Sequence, residues 1–124
     1  MSNRWKGGFI QAYFDPLTVP PPSLPGELFA WGNAASGMLG DGTVVNKSSP
    51  IQIGTSSWAV SEAAVKRTFG ITDGGALYSW GQDGFGALGQ NTASINISSP
   101  TQVGALTTWL AVSGGSYHAV AVKT

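Results

Sequence analysis

Cysteine is absent from all 124 residues, which rules out disulfides, thiolate catalysis and cysteine-ligated zinc. Charge is scarce too. Only 10% of residues are charged and the formal net charge is zero. With no basic surplus to neutralise phosphates, the composition argues against a nucleic-acid partner. No apolar run reaches the roughly 18 residues of a membrane-spanning helix, so no membrane insertion is expected. The first residues lack the charged-then-apolar layout of a secretory signal, which predicts a soluble chain outside the ordinary secretory route. What the sequence does hold is turn formers: 18 Gly and 7 Pro. That many chain-breakers disfavour long helices, in a chain long enough for one domain of ordinary size.

The turn formers punctuate a phrase written twice. Leu28-Phe29-Ala30-Trp31-Gly32 runs on to Gly37, Leu39 and Gly40, and Leu77-Tyr78-Ser79-Trp80-Gly81 runs on to Gly86, Leu88 and Gly89. The two copies are offset by 49 residues throughout. Each reads as a strand of alternating side chains ending in a large Trp, then a glycine-rich reversal. Ser48-Ser49-Pro50 returns as Ser98-Ser99-Pro100, and Gln52-Ile53-Gly54 as Gln102-Val103-Gly104. Trp58 returns as Trp109, and the stretch from Arg67 returns as the stretch from His118. A period near 50 residues is the range of propeller blades. Four short strands are expected per unit, near 28–32, 49–53, 58–62 and 67–72 in the first. The chain therefore divides into an arm with a Pro-rich linker, 1–25, and two repeats, 26–75 and 76–124.

At these residues the sequence resembles the regulator of chromosome condensation repeat family. The second unit carries most of the pattern in Leu77, Tyr78, Trp80, Gly81, Gly86, Leu88, Gly89, Ser99, Pro100, Val103, Trp109, Val112, Ser113, Gly114 and His118. The first unit departs late, with Glu62, Ala63 and Arg67 where Ser113, Gly114 and His118 stand. The resemblance implies an all-β fold of four-stranded propeller blades, two per chain. It also implies a repeat core of Leu28, Trp31, Gly32, Leu39, Trp58, Leu77, Trp80, Gly81, Leu88, Trp109 and His118. Nucleotide exchange on a nuclear GTPase, for which the family is best known, depends on a whole propeller face and inserted loops, so it is not carried over. Light sensing by Trp, known among relatives, is not carried over either, because four of the five Trp occupy repeat-core positions where packing explains them.

The arm is different in kind. It combines Trp5, Phe9, Tyr13 and Phe14 with Asp15-Pro16 and the stiff Pro20-Pro21-Pro22 spacer. It reads either as an edge strand docked on the domain or as a docking peptide whose aromatics need a partner surface. Residues 1–17 also resemble the leaders of small structural proteins of marine bacteriophages, in which a common arm precedes variable β domains. That resemblance implies a chain assembled in the host cytoplasm and carried on the virion, attached to other virion proteins through Trp5, Phe9, Tyr13 and Phe14.

No active site is legible. His118 is the single His and reads as a structural histidine bonded to a neighbouring loop. Asp41-Gly42 and Asp83-Gly84 read as turns, since no run of oxygen ligands ending in Glu follows. The Ser pairs at 48–49 and 98–99 lack a base. Asn46-Lys47-Ser48 and Asn96-Ile97-Ser98 fit a glycosylation pattern but share one repeat position, which explains them without sugar. No catalytic, metal-binding or cofactor-binding residue is expected. The expectation is a non-enzymatic structural or adhesive protein, a phage surface or tail appendage presenting propeller loops to a host surface receptor or to a neighbouring virion protein. The alternative is a binding module or inhibitor that uses an oligomeric propeller face.

Two repeats leave open edges, and repeat units generally need about three neighbours for stability. Homo-oligomerisation is therefore expected to complete the propeller. Leu28, Phe29 and Trp31 at one edge should meet Val120 and Val122 of a second copy, with a homotrimer of six blades favoured.

Overall fold

Eight strands make up the fold in the computed structural model, which describes residues 26–124. The arm, with Trp5, Phe9, Tyr13 and Phe14, lies outside the described residues. The strands are β1 (Phe29–Gly32), β2 (Lys47–Gln52), β3 (Trp58–Ala64), β4 (Arg67–Thr72), β5 (Leu77–Gly81), β6 (Ile97–Gln102), β7 (Trp109–Gly114) and β8 (Ala119–Lys123). Single 3-10 turns stand at Ala35–Gly37 and Gly84–Gly86. All pairings are antiparallel.

The strands sort into one four-stranded sheet, β3-β4-β5-β6, flanked by the pairs β1-β2 and β7-β8. The central sheet is a whole blade. The pair β1-β2 is the repeat image of β5-β6, and β7-β8 is the image of β3-β4, so the flanking pairs are two complementary halves of a second blade. Sheet and sequence repeat are thus out of phase by half a unit. The β4–β5 hairpin spans the repeat boundary through Asp73-Gly74-Gly75, where Gly75 at φ 90° donates its N–H to the Thr72 carbonyl at 2.9 Å. Only glycine adopts that backbone at no steric cost.

Local irregularities repeat as faithfully as the strands. The β1–β2 ladder shifts register between Ala30 and Gly32, and β5–β6 shifts between Ser79 and Gly81. Each bulge therefore falls at a Trp, Trp31 or Trp80, and turns the end of its strand. The Leu28 carbonyl accepts from Ile53 N–H at 2.8 Å, and the Leu77 carbonyl from Val103 N–H at 2.7 Å. Trp58 N–H donates to the Gly26 carbonyl at 2.7 Å, and Trp109 N–H to the Gly75 carbonyl at 3.2 Å.

Position in the sheet decides burial. The central strand β4 buries both faces, leaving only Thr68 and Thr72 half-exposed, whereas β3 alternates buried or half-buried with exposed positions from Trp58 on. Phe69, Ile71, Leu77 and Val112 form the core between the blade and β7, with Val60, Ala64, Val103, Trp109 and Ala119 packed against them. On the other side Trp58 meets Trp80 edge-on at 5.8 Å and Tyr78 at 5.4 Å. That stack requires Gly70, where a β-carbon would lie 2.7 Å from the Trp58 ring.

The repeat core holds in the central blade and opens at the flanks. Leu39, Trp58, Leu77, Trp80, Gly81 and Leu88 are buried, while Leu28, Gly32 and Trp109 are half-buried. Two residues expected in that core are not enclosed in the single chain: Trp31 is 61% exposed and His118 is exposed. The reason is positional. Trp80 and its neighbours are covered by β4 on one side, whereas the outer edges of β1 and β8 carry no strand among the described residues. Phe29, Val120 and Val122, on those same strands, are exposed as well.

Candidate binding surface

Antiparallel order brings one set of connections to one end of the blades: 33–46, 65–66, 82–96 and 115–118. The 82–96 loop is built on Asp83, which is fully buried. Its carboxylate accepts from Leu88 N–H at 3.2 Å and from the Thr92 hydroxyl, and its own N–H donates to Asn96 Oδ1 at 3.3 Å. Ser79 adds a hydroxyl bond to the Leu88 carbonyl at 2.7 Å, and Gln90 Nε2 donates to Ser79 Oγ at 3.1 Å and the Thr101 carbonyl at 2.9 Å. Asp83 is thus a loop organiser, with its lone pairs committed to the backbone it shapes.

The 33–46 loop reaches the same shape by other means. Asn46 Oδ1 accepts from Ala34 N–H at 2.9 Å, as Asn96 does for Asp83. This paired role accounts for the two Asn at one repeat position. Asp41 binds Thr43 N–H at 3.0 Å and Lys47 Nζ at 2.7 Å. The Lys47 ammonium bond, with lesser help from Thr43, holds the Asp41 carboxyl down to about 2 against desolvation that opposes it. The backbones of the two loops superimpose in their special angles: Ser36 and Phe85 both at φ 62°, Gly40 at 89° and Gly89 at 71°, Gly42 at 82° and Asn91 at 60°.

Arg67 joins the blade to its neighbour. It is 2% exposed, and its guanidinium donates to the carbonyls of Gln82 at 3.0 Å, Gly115 at 3.1 Å and Ser116 at 2.9 Å. Two of those acceptors belong to the β7–β8 turn, so one side chain clamps that turn against the end of β5. His118, its repeat image, stands exposed beside Gly115 and has no hydrogen-bond partner for its ring among the described residues.

The same rim displays what sequence reasoning missed. Phe85 and Tyr117 form an edge-on pair with ring centroids 5.4 Å apart, and they are 79% and 69% exposed. Their repeat images are Ser36 and Lys66, at the same φ of 62° for Ser36 and in the same hairpin turn for Lys66. The fold therefore accepts Ser at the backbone position of Phe85. A bulky side chain at positive φ is strained, and two aromatics in water forgo burial. Neither feature serves packing within the chain. The signal available in the sequence was their failure to repeat.

Among the described residues no three His, Asp or Glu converge as metal ligands, and Asp83, Ser79 and Arg67 are engaged in hydrogen bonds with loop backbone and side chains. The geometry of the rim offers a contact surface.

A model of the regulator of chromosome condensation (RCC1) repeat matches residues 25–65 and 74–122. Among solved structures, human WBSCR16 is similar over 80% of this chain and 26% of its own, at TM-score 0.69 and 18% identity. Prp20p from Saccharomyces cerevisiae, described with its binding to Gsp1p and histones, is similar over 81% of this chain and 28% of its own, at TM-score 0.65 and 18% identity. Yeast RCC1 (Prp20), in a structure with Kap60 bound, gives TM-score 0.64 at 17% identity, over 79% of this chain and 24% of that one. The chain spans about a quarter of the length of each. At such identities the likeness concerns the fold.

Proposed function

The chain belongs to the regulator of chromosome condensation (RCC1) repeat family, and from that premise we propose that it is a non-enzymatic protein-binding module. Its contact surface is the loop rim that carries Phe85 and Tyr117. The exposed aromatic pair carries this reading, because Ser36 holds the backbone angle of Phe85 without an aromatic ring. Rigid aromatics presented at low entropic cost are the residue types that anchor protein interfaces. Loops pinned by Asp83, Ser79 and Gln90 hold that pair in one geometry before any partner arrives, which limits the ordering cost of binding.

The finer reading is a phage surface or tail appendage. Residues 1–17, with Trp5, Phe9, Tyr13 and Phe14, would attach the chain to other virion proteins, and the blades would face outward. What supports it is the resemblance of the arm to phage structural leaders and the Pro20–Pro25 spacer between arm and blades.

Replacing Phe85 by Ser copies the first repeat onto the second, and Tyr117→Lys removes the other ring at an exposed turn position. In purified particles of the parent phage, the double variant should be incorporated like the native chain, yet particle adsorption to host cells should drop at least tenfold. Deletion of residues 1–19 should instead abolish incorporation. Unchanged adsorption by the double variant overturns the aromatic rim as the contact surface, and absence of the native chain from the particles overturns the virion reading.

A further inference from the structure

The two grooves that flank the whole blade share repeat-matched linings at Leu28 and Leu77, Leu39 and Leu88, and Arg67 and His118, and each holds a blade side chain, Trp80 or Phe69, whose repeat image is absent from the other. The first lies between β1-β2 and the blade, has a volume of about 420 Å³, and is lined by Leu28, Met38, Leu39, Thr68 and Trp80 among others. The second lies between the blade and β7-β8, has a volume of about 410 Å³, and is lined at matching positions by Leu77, Ala87, Leu88 and Ala119. Trp80 of the first groove has its repeat image in Trp31, which does not line the second. Phe69 of the second has its image in Val120, which does not line the first. Trp31 and Val120 each border the groove on their own side and stand on outer strands, 61% and 60% exposed.

We infer that a second copy of this chain docks head to tail, with its β1 pairing along β8 and its Trp31 seated in the groove beside Leu88, Gly89 and His118. Inside the chain, β4 pairs with β5 as Arg67↔Gly81, Thr68↔Trp80, Phe69↔Ser79, Gly70↔Tyr78 and Ile71↔Leu77. Carried through the repeat, that register becomes His118 with Gly32, Ala119 with Trp31, Val120 with Ala30, Ala121 with Phe29, and Val122 with Leu28 of the next copy. Each edge offers the backbone donors and acceptors that the other lacks.

Side chains and glycines fit the same placement. Trp80 is 1% exposed because it lies over Gly40, where a β-carbon would come within 2.6 Å of its Nε1, and beside Trp58 at 5.8 Å. The images of that seat are Gly89, at φ 71°, and Trp109. Within the chain only the tip of Val103 approaches a β-carbon placed on Gly89, at 3.3 Å, so the groove lies open above it. A glycine there matches a Trp arriving from outside. Opposite, Val120 would enter the first groove against Leu28 and Leu39, as Phe69 packs against Leu77.

The occupant is a copy of this chain because the edges are images of a pair the chain already forms. They cannot meet within one chain, since the whole blade stands between β1 and β8 and neither pairs with the other. No charged residue on either strand opposes the contact except Lys123 at the far end of β8. The contact is heterologous, so it closes a ring if the rotation permits. Each copy brings the strands of two blades, and three copies give six, within the roughly 4 to 8 blades of known propellers.

The absence of cysteine gives a clean test with the full chain. Ala30→Cys and Val120→Cys place thiols at directly opposed positions of the proposed ladder. Under mild oxidation, either variant alone should stay uncrosslinked, their equimolar mixture should yield covalent dimers, and the double variant should yield a ladder ending at three chains. A ladder that ends at two or four chains keeps the interface and overturns the count of three. Self-crosslinking of either single variant, or no crosslink in the mixture while circular dichroism shows native β structure, overturns the interface. Trp31→Ala should dissociate the assembly with β structure retained; an unchanged mass for that variant also overturns it. Phe85 and Tyr117 also line the second groove, so the crosslinks are read in chains that keep both rings, and loss of the crosslink is scored apart from loss of adsorption.

Discussion

Trp31 and Trp80 occupy the same place in two copies of one structural unit, at the same bulge of the same strand, yet Trp80 is 1% exposed and Trp31 is 61% exposed. The difference lies wholly in what stands beside the strand. Trp80 has β4, Gly40 and Trp58 around it, whereas the outer edge of β1 is open. Replacing Trp80 by Ala should therefore cost about 3–5 kcal/mol of folding stability, the range for large core deletions. Trp31→Ala should instead remove the dependence of the unfolding midpoint on protein concentration, because it acts on association. Urea titrations at two concentrations measure both.

This asymmetry also marks where the sequence stops informing. The repeat and its strands were legible because each residue pattern appears twice, at offsets of 49 to 51 residues. Trp31 and His118 read as core for the same reason, since a repeat reports what a position does in a complete array and not which edge of the chain lacks its neighbour. Phe85 and Tyr117 were illegible for the opposite reason. They belong to one copy only, and a Phe at positive φ leaves no mark in composition or periodicity.

Phe85 trades stability for exposure. A non-glycine residue in the left-handed region costs roughly 1–2 kcal/mol, and Phe85 sits at φ 62° with 79% of its surface in water. Phe85→Gly should raise the unfolding free energy by about 1 kcal/mol while weakening partner binding. Denaturant melts alone decide the first half. A destabilised Gly variant would mean that the ring contributes to packing.

Arg67 should matter to one hairpin more than to the whole. Arg67→Met keeps the stem and leaves the carbonyls of Gln82, Gly115 and Ser116 without their donor, a loss of about 1–3 kcal/mol for unsatisfied buried groups. Hydrogen exchange should accelerate first in β7 and β8, whose turn the guanidinium clamps, and least in β5–β6. Uniform acceleration across all strands would show that Arg67 supports the global core instead.

The Asp41–Lys47 pair gives the first loop an acid-sensitive brace. The Asp41 carboxyl is lowered to about 2 from an ordinary 3.8, so its stabilisation is complete above the unfolded value and is lost as pH falls through the folded one. Stability should decline between about pH 4 and about pH 2, and Lys47→Met should flatten that decline. Carboxyl chemical shifts followed by NMR should place the Asp41 titration near its ordinary value in the variant. An unmoved titration would assign the lowering to Thr43.

The mass of the full chain in solution tests the blade-sharing account most directly. Light scattering after size exclusion should give three times the 12.7 kDa chain mass, with β circular dichroism intact and the mass unchanged on moderate dilution. A folded particle of 12.7 kDa would contradict the account, because Trp31 and Val120 of the native chain would then have no second copy to cover them.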